Sequence, residues 1–281
     1  MHKLLVALGM VAMGVGASAC SSSSSATSTT TSSVPGTEAS TTTTIPASRA
    51  AGSNATAVQA MRAALRHGGS QSSLHYVSTS VEDGMTTTII GDVTQTSGTQ
   101  TIVVSYQGVK ASMIIELVGH EAYFRGAATA IEVLISLTAR QSAAAAGRWV
   151  SVVPSDSVYQ STAAALTVGS VMSELALSPP ITRARTVVVG GRSVVEIAGA
   201  WTGEGITTKN HATGELEVTK GAASLPIAFS GTMPPTTAAG GFTASLVVSK
   251  WGEAVHVAPP AFAVPLSTIL NSTTTTQPVV V

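Results

Sequence analysis

Apolar positions along this chain follow two periods. From residue 55 to 67, Val58, Met61 and Leu65 recur at three- and four-residue steps. That spacing predicts a helix, with Asn54 as its cap and Gly68-Gly69 as its stop. Beyond it the period falls to two. Residues 74–82 and 85–96 are rich in Val, Ile and Thr and flank Asp83-Gly84, a two-residue hairpin turn. After a turn at Ser97-Gly98, residues 101–107 place Ile102, Val104 and Tyr106 on one face. Residues 111–118 place Met113, Ile115 and Leu117 on one face and Glu116 on the other. Gly119-His120 turns the chain into residues 122–125.

The pattern then becomes helical. Residues 127–137 carry Ile131, Leu134 and Ile135 on one stripe, and 139–146 extend it or add a turn. Gly147 ends that region and 149–153 form a short strand. Residues 158–177 are Ala/Leu-rich and read as one or two helices, interrupted near Gly169, before Pro179-Pro180 stops them. Strands return at 181–189 and 192–201 around Gly190-Gly191, where Val195 and Ile197 share a face. Residues 213–220 turn Leu216 and Val218 one way and Glu215 and Glu217 the other. Residues 225–229 and 242–250 follow, adding Ile227, Phe229, Leu246 and Val248 to the apolar face, and Trp251-Gly252-Glu253 turns into 255–260.

Consecutive hairpins mean antiparallel sheet, so the fold class is α+β. No strand–helix–strand alternation marks a nucleotide-type parallel sheet, and no repeat marks a solenoid. A sheet with one apolar face must cover that face. Only an amino-terminal helix and a helical insert are available as covers. Either a lipid-sized hollow remains between them, or the helices pack tightly and the core is full. Patterning leaves both arrangements open. If a hollow exists, its lining comes from Ile102, Val104, Met113, Ile115, Leu117, Leu134, Val195, Ile197, Leu216, Val218, Ile227, Phe229, Leu246 and Val248.

The ends of the chain differ from this middle. Met1-His2-Lys3 is a short positive start, followed by an apolar run from Leu4 to Val15 that is too short to span a bilayer. Ala17-Ser18-Ala19-Cys20 has the small residues a signal peptidase needs and resembles a bacterial lipobox, with Ala17 where a leucine is usual. Residues 1–19 are therefore expected to be a lipoprotein signal peptide, and Cys20 the site of lipidation by diacylglycerol and palmitate-type acyl chains. Two or three acyl chains hold a protein at a membrane where one is marginal. Residues 20–53 are rich in Ser and Thr and read as a disordered stalk reaching roughly 30 Å, with glycosylation as a compatible alternative. Residues 54–270 form the folded domain, and 271–281 repeat the stalk's style as a loose tail.

Composition narrows the function. The chain has 281 residues, of which 10% are charged, with 14 Lys+Arg against 14 Asp+Glu. Such a neutral chain has no electrostatic footprint for nucleic acid. Aromatics at 4% leave no base-stacking platform. A single cysteine excludes an internal disulfide framework and any multi-cysteine metal site. Active-site signatures are missing too: no nucleophile elbow, S-x-x-K, H-E-x-x-H or P-loop occurs. Gly203-Glu204-Gly205 is a lone G-x-G without a following helix. His120 and Glu121 are neighbours in a strand and point to opposite faces. His211 and His256 read as solvated. No catalytic residue, metal ligand or cofactor is expected. Trp149, Trp201 and Trp251 read as core-edge packing, with a pocket mouth as the other option.

Four features in order resemble one family. They are the lipobox with its polar stalk and amino-terminal helix, the segment Glu121-Ala122-Tyr123-Phe124-Arg125-Gly126, the segment Gly147-Arg148-Trp149-Val150, and Ser249-Lys250-Trp251-Gly252-Glu253 with Val255 to Pro259. Together they resemble the actinobacterial LppX/LprAFG lipoproteins of the LolA/LolB-like superfamily. The long stalk and the Ala-rich, weakly charged domain depart from that pattern. The resemblance implies an antiparallel half-barrel wrapped around helices, with a cavity that takes up acyl chains of lipids or lipoglycans. Shielding a chain from water is favourable by roughly 0.8 kcal/mol per CH₂, so such a carrier needs no catalytic group. The expected protein is then a non-enzymatic lipid-binding lipoprotein, held by Cys20 on the extracytoplasmic face of the cell membrane, with an envelope transporter as a candidate partner. The alternative is a protein-binding or regulatory module on the same fold with no lipid ligand.

Overall fold

The computed structural model describes residues 47–189, 191–201, 211–221, 224–235 and 240–272. They build one 12-stranded sheet with helices against one of its faces. The first half runs α1 (Ala47–Gly69), β1 (Ser73–Glu82), β2 (Met85–Thr94), β3 (Gly98–Tyr106), β4 (Val109–Val118) and β5 (Glu121–Gly126). The insert follows with α2 (Ala128–Ile135), α3 (Ala139–Ala145), β6 (Val150–Val152), α4 (Tyr159–Ala163) and α5 (Val168–Glu174). The second half is β7 (Leu177–Val189), β8 (Arg192–Trp201), β9 (Thr213–Thr219), β10 (Pro226–Met233) and β11 (Phe242–Ser249), closed by β12 (Val264–Pro265) and α6 (Leu266–Ser272).

Each half is a meander, as the consecutive turn signals predict. Asp83 (φ 47°) and Gly84 (φ 78°) make the left-handed pair that a tight β1–β2 hairpin requires, and Gln107 (φ 48°) with Gly108 (φ 81°) does the same between β3 and β4. The two meanders join where β1 pairs antiparallel with β11, from His75 opposite Ser249 to Glu82 opposite Phe242. The strand order is therefore β12-β6-β5-β4-β3-β2-β1-β11-β10-β9-β8-β7. Every pairing is antiparallel except the short β12–β6 contact. Among the described residues the sheet is open, ending in β7 on one side and β12 on the other.

Register puts the apolar positions on one face. Ile102 lies opposite Met113, Ile197 opposite Leu216, and Phe229 opposite both Leu216 and Leu246. This inner face carries the core. Against it α1 presents Ala57, Met61 and Ala64, α2 presents Ile131, Leu134 and Ile135, and α5 presents Val168, Val171 and Met172. Small residues along the buried stripe of α1 allow the close approach of a helix to β7, β9, β10 and α5.

Several boundaries differ from the sequence pattern. The first helix begins at Ala47, so Asn54 lies inside it rather than capping it, and residues 47–53 are helical rather than stalk. The break in residues 158–177 falls at 164–167, not at Gly169. Ala165 turns into the left-handed region (φ 56°), and Thr167 then starts α5 by accepting a hydrogen bond from the Ser170 amide. Gly169 sits just inside that capped first turn, where it is tolerated. Pro179-Pro180 does not precede the strand; it lies inside β7. An edge strand with register shifts between Ser178 and Ile181 accommodates it, because no ladder hydrogen bond is needed on the free side. Residues 255–260 form no strand, while β12 and α6 add a closing piece whose Leu266 and Ile269 are buried.

Candidate functional site

The residues expected to line a hollow do gather on one face. Met113, Ile115 and Leu117 on β4 sit under α2, whose Leu134 is buried in the same core as Ile102 and Val104 on β3. Ile197, Leu216, Val218, Phe229, Leu246 and Val248 form the inner face of the second meander. Ile115, Ile197 and Leu216 are each 0% exposed. They are packed into one continuous core with the helices. Two members depart from the set. Val195 is half-buried against the core. Ile227 is the extra residue of a bulge, because Pro226 pairs with Val218 and Ala228 with Glu217; the bulge takes it out of the alternation that had placed it on the apolar face. Cys20 lies outside the described residues, as do Gly203, Glu204 and Gly205.

Aromatic rings fill the middle of the inner face. Tyr76 and Phe124 are fully buried. Trp201 meets Phe229 edge-on with centroids 5.2 Å apart and stacks on Phe242 at 5.7 Å. A low aromatic content thus suffices, because the rings are concentrated where the sheet needs volume. Trp201 is core, and Trp251 is partly buried against it.

Open space lies elsewhere. An open groove of about 460 Å³ runs along the surface where α1 meets the edge strand β7. Its walls are Ala55, Val58, Pro179, Pro180 and Ile181, with Gln59 and Arg62 as the polar members. Residues 55, 58, 59 and 62 follow helical spacing, so one stripe of α1 faces this gap. The sequence flagged Val58 as apolar-periodic but gave no hint that the proline pair stands opposite. A second hollow of about 510 Å³ lies on the β7–β10 end, where Ala198, Ala200, Thr213, Ser230 and Thr232 are small enough to leave a depression, bordered by His211 and Glu215. None of the residues expected to line a cavity borders either hollow.

Polar groups near the core are structural. The Tyr76 hydroxyl donates to Gln100 Oε1 at 2.7 Å and is shared with the Ala165 carbonyl at 3.1 Å. Burial, reinforced by the charge of Asp92, pushes its ionisation far above the ordinary phenol range. On the outer face His75 Nδ1 lies 2.8 Å from Asp92 Oδ1, a cross-strand pair that sequence reading missed although a β1–β2 hairpin register places them opposite. Arg185 holds Glu196 with two bonds, Nε to Oε1 at 2.9 Å and Nη2 to Oε2 at 3.1 Å. Beside it, burial and the charges of Glu196 and Glu215 raise the pKa of Glu217. His120, His211 and His256 are exposed, and Glu121 accepts a bond from the Tyr123 hydroxyl at 2.7 Å. Among the described residues, no group of three His, Cys, Asp or Glu side chains is placed to hold a metal ion. No helix among them is long and apolar enough to cross a membrane.

No family model and no curated protein matches the chain. Solved structures do. The chain is similar to the Mycobacterium tuberculosis lipoprotein LppX, at 15% identity and a TM-score of 0.44, over 73% of this chain and 100% of that one. It is also similar to LprF from Mycobacterium bovis, at 13% identity and a TM-score of 0.46, over 74% of this chain and 98% of that one.

Proposed function

We propose that this protein is a cell-envelope lipoprotein, anchored through Cys20, that binds the acyl chains of a lipid or lipoglycan and carries or presents them without catalysis. The observation that carries the reading is the apolar gap between α1 and β7. It is an open groove of about 460 Å³ at the surface, and its walls are chiefly hydrocarbon. Beyond it, the inner-face residue Val195 is only half-buried. Transferring a chain from water onto such a surface is favourable by roughly 0.8 kcal/mol per CH₂, with no polar partner required. The lipobox-like Ala17-Ser18-Ala19-Cys20 supplies the anchor.

A second reading is a protein-binding module. It is favoured by the filled middle of the inner face and by apolar side chains on the opposite face, where Val247, Ile90 and Ile114 are 52%, 46% and 37% exposed along one cross-strand row. Native mass spectrometry of the full chain, purified from bacterial membranes in a detergent that preserves bound lipid, separates the two. Acyl-lipid adducts beyond the covalent anchor support carriage. Adduct-free protein in repeated preparations, with no uptake of a fluorescent fatty acid, removes it and leaves the module.

A further inference from the structure

The sheet has two ends, and they are not equivalent. At one end β12 is two residues long, stops at Pro265, which has no N–H, and runs straight into α6. At the other end β7 is 13 residues long. Among the described residues no strand pairs with its far side. Its first half is unsuited to pairing, because Pro179 and Pro180 lack donors and two register shifts bend the backbone. Its second half is regular: Ala184 to Val189 stay in step with β8, from Ala184 opposite Ile197 to Val189 opposite Arg192.

That regular half reads Thr186-Val187-Val188-Val189. Every member is β-branched, none is charged, and Val188 and Val189 are 71% and 44% exposed. Natural edges of this kind are normally guarded by a charge. Here the nearest charge on the strand, Arg185, bonds with its guanidinium across to Glu196 on β8, and Arg192 stands opposite Val189 on β8 rather than on the edge itself. An apolar row of backbone donors and acceptors that carries no charge of its own is a template for another strand.

We propose that two copies of this chain join edge to edge through residues 186–189 of β7, continuing the sheet across a two-fold axis. Antiparallel self-pairing sets valine against valine or threonine, so no like charges meet. Because only one end of each sheet offers a usable edge, the contact is isologous and stops at a dimer rather than growing into a filament. The contact leaves the gap beneath α1 free, since Val188 lies seven residues along the strand from Ile181, roughly 23 Å away.

Sedimentation of the purified full chain over a dilution series tests this, with hydrogen exchange followed by mass spectrometry as the site-specific readout. The wild type is expected to be a dimer that dissociates on dilution, with the amides of residues 186–189 that point away from β8 gaining protection only in the dimer. Val188→Lys places a charge on both sides of the axis and should weaken the dimer by at least about tenfold while leaving the circular dichroism unchanged. Val247→Lys, on the outer face of β11, should leave it intact. A monomeric wild type at high micromolar concentration overturns the proposal. So does a dimer that Val247→Lys dissociates and Val188→Lys does not, or a dimer whose edge-facing amides at 186–189 gain no protection over the monomer. Lipid uptake in Val188→Lys should equal that of the wild type, so this proposal and lipid carriage fail independently.

Discussion

The ring of Tyr76 lies across Gly91. The two residues are directly opposite in the β1–β2 pair, and Gly91 is in turn opposite Gln100 on β3. Spanning the glycine lets a hydroxyl on β1 reach an amide oxygen two strands away, at 2.7 Å. A Cβ added at position 91 would stand 2.3 Å from Tyr76 Cε1. Gly91→Ala is therefore expected to force the ring out of a packed core, at a cost of about 1–3 kcal/mol. Tyr76→Phe keeps the ring but leaves Gln100 Oε1 without its donor, again costing about 1–3 kcal/mol. Urea unfolding midpoints measure both. A wild-type midpoint for Gly91→Ala would mean that the ring does not sit there.

Much of this architecture is legible in the sequence, and particular residues explain what is not. Period-two alternation fixed the faces of Ile102, Met113, Ile115, Leu216 and Val218, because a half-buried sheet repeats every second residue whatever covers it. Glycine and aspartate at turns marked the hairpins, as at Asp83-Gly84. Alternation does not say how far apart sheet and helix stand. Whether Ile115 borders a void or a packed helix depends on side chains distant in sequence, such as Leu134. The same gap hides the site: the wall opposite Val58 is built by Pro179 and Pro180, and proline reads locally as a break rather than as a lining. Ile227 was misplaced for a related reason, since a bulge shifts the alternation without altering composition.

The start of α5 is held by a reciprocal pair. The Thr167 side chain accepts from the Ser170 amide, and Ser170 Oγ accepts from the Thr167 amide at 3.1 Å. The helix that follows buries Val171 and Met172. Thr167→Ala removes one partner from an otherwise short helix and should cost about 1 kcal/mol. Thr167→Ser should recover most of it, as the thermal midpoints of the two variants will show.

Glu217 makes stability depend on pH in a defined direction. Its carboxyl has a pKa raised above 4.5 in the fold by burial first, then by Glu196 and Glu215. The folded state therefore keeps the proton longer than the unfolded chain does. Its contribution is fully present below the unfolded value and is lost as pH rises through the folded value. Glu217→Gln removes that dependence. The variant should match or exceed the wild type near neutrality and lose this advantage as pH falls toward about 4.5. Denaturation midpoints of both proteins across that window measure the difference. A difference that stays constant would show that folding leaves this carboxyl unshifted, and one that grows toward acid that the carboxylate is stabilised rather than penalised.

Filling different parts of the inner face should separate binding from folding. Ile115 and Ile197 are each 0% exposed, so a tryptophan at either position has no empty volume to enter. Overpacking there is expected to destabilise the protein by about 1–3 kcal/mol, and any loss of lipid would follow from a damaged fold. Val58 differs, because it is only partly buried and faces the gap between α1 and β7. Val58→Trp places an indole in that gap, against Pro179 and Ile181, with little strain on the packed side of the helix. The expected outcome is a thermal midpoint close to the wild type together with a several-fold fall in fatty-acid uptake. Ile197→Trp should show the reverse order of effects, with stability falling first. Undiminished uptake by a folded Val58→Trp protein would remove the gap as the binding place and, with it, the main support for acyl-chain carriage.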